Sequence, residues 1–289
     1  MPAAPEQPVL RFAPSPNGYL HIGHAYSALV NQRLARRLGG KLLLRIEDID
    51  TGRCRPEYEL AIYEDLAWLG VAWETPVMRQ SERFPIYAAA LEDLTARGLA
   101  YPCFCTRGDV SRALSDIPDW PADPDGVPHY PGVCRGMSAL ERQCRSAAGR
   151  RSAVRLDMRA ALGGISGPLI WREYGESDAA QQIIADPAIW GDAIIGRRDV
   201  PASYHLAVAI DDAALGVTDV VRGMDLYHAT SLHRLLQRLL LISPPAYRHH
   251  DILRDDHGAK LSKSARAKSI RALRAEGESA ASIRRRLGF

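Results

Sequence analysis

Apolar positions near the amino end alternate between two periods. Val9 to Phe12 is a short apolar stretch stopped by Pro14 and Pro16, the pattern of a strand running into a rigid turn. From Gly23 to Leu38 the apolar residues Ala25, Ala28, Leu29, Leu34, Ala35 and Leu38 form a helical stripe, closed by Gly39-Gly40. Lys41 to Ile46 is again strand-like. Strand, Pro/Gly turn, helix and strand make one βαβ unit, which predicts a parallel sheet with a right-handed crossover. Further helices are predicted from Pro56 through Leu69 and from Phe84 to Arg97, the second ended by Gly98. Cys103 to Arg135 is rich in Pro, Gly and Asp with little periodicity, as expected of an inserted, loop-like segment. Tyr204 to Ile210 and Val217 to Val221 read as strands, and Ser231 to Leu241 as an amphipathic helix. There is no internal repeat. The expected fold is an α/β catalytic domain (residues 1–102 and 191–243) split by an insertion at 103–190, with a short helical tail at 244–289.

Composition narrows this further. At 289 residues, 46% hydrophobic and 25% charged, the chain has the make-up of a folded globular protein, which excludes disorder for its bulk. No apolar run approaches the ~18 to 20 residues of a membrane span, and Met1 to Pro8 lacks the basic and apolar regions of a secretory signal. Five cysteines, an odd number, do not form a disulfide framework, so a reduced, cytoplasmic setting without membrane partners is expected, and a monomer. The net charge of +3 announces no nucleic-acid partner by itself. It is unevenly spread: Lys260 to Phe289 holds nine Lys and Arg against Glu276 and Glu278. Such a tail either tracks a phosphate backbone or is a solvated, partly frayed helix end.

Two constellations carry chemistry. Pro14-Ser15-Pro16-Asn17-Gly18 leads into His21-Ile22-Gly23-His24 between the first strand and the first helix. There an anion meets unsatisfied N–H groups and the positive end of a helix dipole. Two imidazoles at i and i+3 can share one face of the turn and donate to phosphate oxygens, with Gly23 allowing close approach. An isolated histidine pair is more often a surface turn, but the strand-turn-helix context makes chance placement a poor explanation. Far downstream, Lys260-Leu261-Ser262-Lys263-Ser264 pairs point charges suited to a triphosphate with small residues suited to a closing loop.

Arg11 to Gly18, the HIGH tetrapeptide, Leu44-Arg45-Ile46-Glu47-Asp48, Gln80-Ser81-Glu82-Arg83 with Tyr87, Val221-Arg222-Gly223-Met224-Asp225-Leu226 and Lys260 to Ser264 occur in that order. Together they resemble the class I glutamyl-tRNA synthetases, over about residues 9 to 265. The resemblance implies a Rossmann-type catalytic domain that activates L-glutamate with ATP and Mg2+. It implies that His21 and His24 stabilise charge on the triphosphate while Lys263, with Lys260, Ser262 and Ser264, clamps it. Arg11 and Arg222 would meet the glutamate carboxylates, Glu47 the α-ammonium, and Tyr204 would add a phenolic hydrogen bond; Ala13 and Ser15 would line the pocket. Taken singly, Arg222 could be a surface ion pair, Tyr204 a core strand residue, and Glu47 a partner of Arg45 or Arg53.

Cys103-Phe104-Cys105 and Cys134 supply three thiols, which with one further donor would fill a closed tetrahedral zinc site. The resemblance implies Tyr130 as the fourth ligand of a structural Zn2+; His129 is chemically easier, and Cys144 is another candidate. The alternative is plain reduced cysteines. Cys54 receives no role. Only 25 residues follow Ser264, where a full-length family member carries a large anticodon-binding region. The chain therefore resembles the truncated glutamyl-queuosine branch, which transfers glutamate to queuosine at the wobble position of the tRNA(Asp) anticodon stem-loop. Competing expectations are a minimal glutamyl-tRNA synthetase charging a 3′ end and a non-catalytic RNA-binding paralogue.

Overall fold

The structure, a computed structural model, describes residues 7–175, 179–253 and 268–289. Strand β1 (Val9–Phe12) enters the Pro14–Pro16 turn, whose two proline carbonyls accept from Glu47 N and Arg55 N at 3.0 Å each. Helix α1 (Ile22–Arg37) returns the chain to β2 (Lys41–Ile46), which pairs parallel with β1. Then follow α2 (Pro56–Trp68), β3 (Glu74–Arg79), α3 (Phe84–Ala96), β4 (Ala100–Cys103), α4 (Arg107–Leu114), α5 (Ala139–Ala147), β5 (Ala153–Leu156) and α6 (Met158–Gly163). The remainder comprises β6 (Ile170–Tyr174), β7 (Ala180–Ile184), β8 (Ile194–Gly196), α7 (Tyr204–Ala214), β9 (Asp219–Gly223), α8 (Ala229–Leu239), β10 (Ala246–His250), α9 (Ile270–Ala275) and α10 (Ala280–Arg286). No helix among the described residues is long and apolar enough to cross a membrane.

The main sheet has the order β3-β2-β1-β9-β10-β6-β7, parallel throughout except for antiparallel β7 at its edge. Chain order reverses between β1 and β9, and in open α/β sheets ligands bind outside the carboxyl ends of strands at such a point. A smaller antiparallel sheet, β4-β5-β8, lies in the insertion.

Two apolar cores hold this frame. One packs α1 and α2 on β1 and β2, with Leu10, Leu29, Ile46, Ile62 and Leu66 essentially inaccessible. The other joins α3, α7 and α8 through Leu94, Leu206, Leu232, Leu235 and Leu236. Each such side chain contributes about 1.5–3 kcal/mol relative to its exposed state.

Three expectations need correction. Tyr204 to Ile210 is not a strand but the start of α7, capped by Ser203, whose side chain accepts from Leu206 N. Its apolar run is buried on several sides, so periodicity does not separate buried strand from buried helix. The insertion is not one block over 103–190. Within it, β6 and β7 complete the main sheet, because Trp171 packs with Val217, Val220 and Tyr247. Conversely, β8 lies beyond residue 190 yet pairs with β5 in the small sheet. Finally, the described tail is not a frayed end: Ile270, Leu273 and Ile283 are buried in the α1/α2 core, and Arg284 donates to Leu69 O at 2.9 Å.

Candidate active site

A cavity of about 290 Å³ opens where the strand order reverses. Arg11, Phe12 and Ala13 reach it from the end of β1, Glu47 from the end of β2, Arg222 and Gly223 from β9, and His250 from β10. His21 and His24 close one side and Tyr204, the first residue of α7, another. The residues expected around glutamate, Arg11, Ala13, Ser15, Glu47, Tyr204 and Arg222, thus border the same space as the two imidazoles. Ser15 Oγ also lies 3.8 Å from Cys54 Sγ. Lys260, Ser262, Lys263 and Ser264 lie outside the described residues. On one side of that stretch Leu253 lines the cavity, and on the other Ser269 bridges to His21 while Ile270 N donates to Leu20 O at 2.7 Å.

The HIGH turn fixes its own tautomers. His21 caps α1: its Nδ1 accepts from Gly23 N at 3.0 Å, and His24 Nδ1 accepts from His21 N at 3.2 Å. With both Nδ1 atoms used as acceptors, each neutral ring carries its proton on Nε2. The rings stack with centroids 3.8 Å apart. Burial, then the neighbouring His21, lowers the His24 pKa to about 3, so at neutral pH it is an uncharged N–H donor. Gly23 has a steric reason of its own, since a Cβ there would come within 2.9 Å of His21 Cε1.

Below the cavity runs a buried ionic chain that sequence reasoning missed. One Asp212 oxygen accepts from Arg11 Nε at 2.9 Å and from Arg45 Nη1 at 2.6 Å, and Arg45 Nη2 reaches Glu47 Oε1 at 2.9 Å. Burial works to raise the Asp212 pKa, but Arg11 and Arg45 prevail and hold it below the usual carboxylate range. At Glu47 burial wins over Arg45 and Arg11, and the pKa rises. Glu47, bonded to Arg45, thus also borders the cavity. The adjacent Asp211 gathers Gln80 Nε2, Arg83 Nε and Tyr87 Oη at 2.6–2.8 Å, which explains that motif as a brace between α3 and α7. The available signal was the pair Asp211-Asp212, seven and eight residues after Tyr204: one helical face, but invisible as such in a strand.

In the insertion, the sulfur atoms of Cys103, Cys105 and Cys134 lie within 4.8 Å of one another. Zn–S bonds of about 2.3 Å in a tetrahedron need S···S edges of about 3.8 Å, so the donors fit a zinc ion after small adjustment. Tyr130 Oη is 3.2 Å from Cys105 Sγ. Arg155 Nε donates to Cys103 Sγ at 3.4 Å, and its guanidinium lies 4.0 Å from the centre of the Tyr130 ring. His129 is engaged elsewhere, its Nε2 2.8 Å from Ile189 O, and Cys144 is exposed on α5.

This fold, with its paired imidazoles at a helix start and cation-lined cavity at the switch point, defines a nucleotide-dependent class I synthetase. Residues 8–288 match the model of the family described as tRNA synthetases class I (E and Q), catalytic domain, and the chain belongs to that family. Within it the protein groups with the glutamyl-Q tRNA(Asp) synthetases. It is 44% identical over 286 residues to the protein of that name from Rhodobacter capsulatus, covering 97% of this chain and 100% of that one. It is 38% identical to Glutamate--tRNA ligase 2 of Acidiphilium cryptum over 92% of this chain but 57% of that protein. The crystal structure of glutamate-tRNA synthetase from Elizabethkingia anophelis superposes with a TM-score of 0.71 at 25% identity, covering 94% of this chain and 54% of that one.

Proposed function

We propose that this protein is a ligase that activates L-glutamate with ATP and transfers the glutamyl group to queuosine in tRNA(Asp). The observation that carries the reading is the single cavity joining Arg222 and Glu47 to the imidazoles of His21 and His24. Arg11 and Arg222 hold the carboxylates of glutamate, Glu47 accepts from its α-ammonium, and Tyr204, Ala13 and Ser15 shape the pocket. The α-carboxylate oxygen attacks the α-phosphorus of ATP, and pyrophosphate leaves. Nε2–H groups of His21 and His24 stabilise the charge that develops, so the work is positioning and preorganised electrostatics. Mg2+ carried by the triphosphate neutralises charge there. Lys263, with Lys260, Ser262 and Ser264, completes the clamp. A hydroxyl of the queuosine diol then attacks the acyl carbonyl and AMP departs.

Similarity along the whole length of the Rhodobacter protein supports queuosine over an acceptor 3′ end. Comparing acceptance by tRNA(Asp) with and without queuosine tests this: glutamate is expected on the modified RNA alone. Equal charging of unmodified RNA would make the protein a minimal glutamyl-tRNA synthetase. Absence of glutamate-dependent ATP–pyrophosphate exchange by folded protein would make it a non-catalytic RNA binder.

Cys103, Cys105, Tyr130 and Cys134 would hold a structural Zn2+, whose role is to clamp the ends of a long loop that has only a small apolar cluster of its own. Cys103→Ser is expected to lower zinc content, read by atomic absorption, and to increase proteolysis within 103–150. One zinc per chain retained in the variant would rule out this ligand set.

A further inference from the structure

Arg222 differs from the other buried arginines of the site. Arg11 and Arg45 share Asp212, whereas Arg222, only 5% exposed, has no ion pair with a carboxylate among the described residues. Its donors meet neutral acceptors instead. Nε donates to His249 Nε2 and Nη1 to His233 Nδ1, both at 3.1 Å. Nη2 donates to Leu226 O at 3.1 Å and Thr230 Oγ1 at 2.7 Å. A guanidinium has five N–H groups and no acceptor, so one Nη1 N–H is left without an acceptor among the described residues, on a side chain that lines the cavity.

Because the guanidinium only donates, both imidazoles must accept, which fixes their protons on the far nitrogens. His233 Nε2–H then donates to His205 Nδ1 at 3.1 Å. His249 Nδ1–H donates to the Glu173 carboxylate at 2.9 and 3.0 Å, and that carboxylate also takes Trp171 Nε1 at 2.9 Å. Burial followed by the Arg222 charge keeps the His233 pKa well below its ordinary value, and burial likewise lowers that of His249 despite Glu173. The result is a two-sided cradle that orients a cation without neutralising it. A carboxylate in place of either imidazole would orient Arg222 equally well but satisfy its charge, removing the demand for an anionic ligand.

We propose that His233 and His249 are positioning residues that hold Arg222 as an oriented, uncompensated cation, and that this arrangement gives the site its preference for the side-chain carboxylate of glutamate over the amide of glutamine. This rests on glutamate being the substrate. An uncharged amide leaves the buried charge unpaired, whereas a carboxylate pairs it.

The test is ATP–pyrophosphate exchange with glutamate and with glutamine, using wild-type protein, His233→Leu, His233→Gln and Thr230→Val. His233→Leu removes the acceptor; His233→Gln retains an amide that can accept from Arg222 and donate to His205. Loss of a charge-assisted hydrogen bond is expected to raise KM for glutamate on the order of tenfold to a hundredfold in His233→Leu. KM for ATP should stay near wild type, the glutamate:glutamine ratio of kcat/KM should fall, and His233→Gln should restore most of both. Thr230→Val, near-isosteric and missing one acceptor, should move the same quantities in the same direction, and decides the matter if His233→Leu does not fold. An unchanged KM for glutamate in the folded variants, or equal loss in His233→Leu and His233→Gln, would overturn the proposal. Wild-type protein inactive with glutamate would instead overturn the substrate reading.

Discussion

Asp212→Asn is expected to destabilise the fold by about 3–5 kcal/mol, the range for breaking a buried ion pair by removing one partner, and to abolish most glutamate-dependent exchange. A single Asp212 oxygen is shared by Arg11 and Arg45, whose side chains are 5% and 0% exposed. Neutralising it leaves the two guanidinium groups with Glu47 as the remaining carboxylate bonded to either, and Glu47 would be pulled from the cavity toward Arg45. The two consequences, loss of stability and loss of the α-ammonium receiver, share one cause. Denaturant midpoints and glutamate titrations on the same preparation check both. Asp199→Asn is the control: Asp199 pairs with Arg197 at 2.7 Å but is half exposed, so a change within about 1 kcal/mol is expected. Similar stability of the Asp212 variant and wild type would show that the pair is replaced by solvent.

The second large effect is at the HIGH turn. His24→Ala is expected to reduce kcat of the exchange reaction roughly 10²–10³-fold, as for loss of one preorganised donor to developing charge, with KM for glutamate little changed. Because the His24 pKa lies at about 3, its ionisation should leave no inflection in kcat between pH 5 and 8. An inflection near 6.5 that vanishes in His24→Ala would show that the working form is the imidazolium. His24→Gln, which keeps an N–H near the Nε2 position but lacks the Nδ1 acceptor for His21 N, should fall between the two.

How much of this was legible varied with the kind of interaction. The β1-α1-β2 unit and its turn are written locally, in Pro14, Pro16, the stripe from Ala25 to Leu38 and Gly39-Gly40, because strand and helix periods and backbone restrictions act over a few residues. Helix α7 was hidden by its own burial, since a run of apolar residues touching neighbours on several sides has no polar face to mark its period. That error concealed Asp211 and Asp212. The tail is helical as expected, but its docking was not legible for a related reason: counting charges emphasises its arginines, while three apolar residues, Ile270, Leu273 and Ile283, seat it.

The cradle around Arg222 was not legible at all. His233 and His249 lie on α8 and β10, and nothing in their local sequence states that they meet one arginine, or that His205 on α7 backs His233. The sequence by itself determined the chemistry on offer: imidazoles at a helix start, arginines and a glutamate at strand ends, and three thiols in an insertion. Only the tertiary structure decided which charges are paired. Ion pairing and tautomer depend on distances between residues more than a hundred positions apart, as with Arg11 and Asp212, and burial sets how strongly each pair is felt. The consequence is that Arg11 shares the Asp212 carboxylate with Arg45, while Arg222 has no carboxylate partner among the described residues.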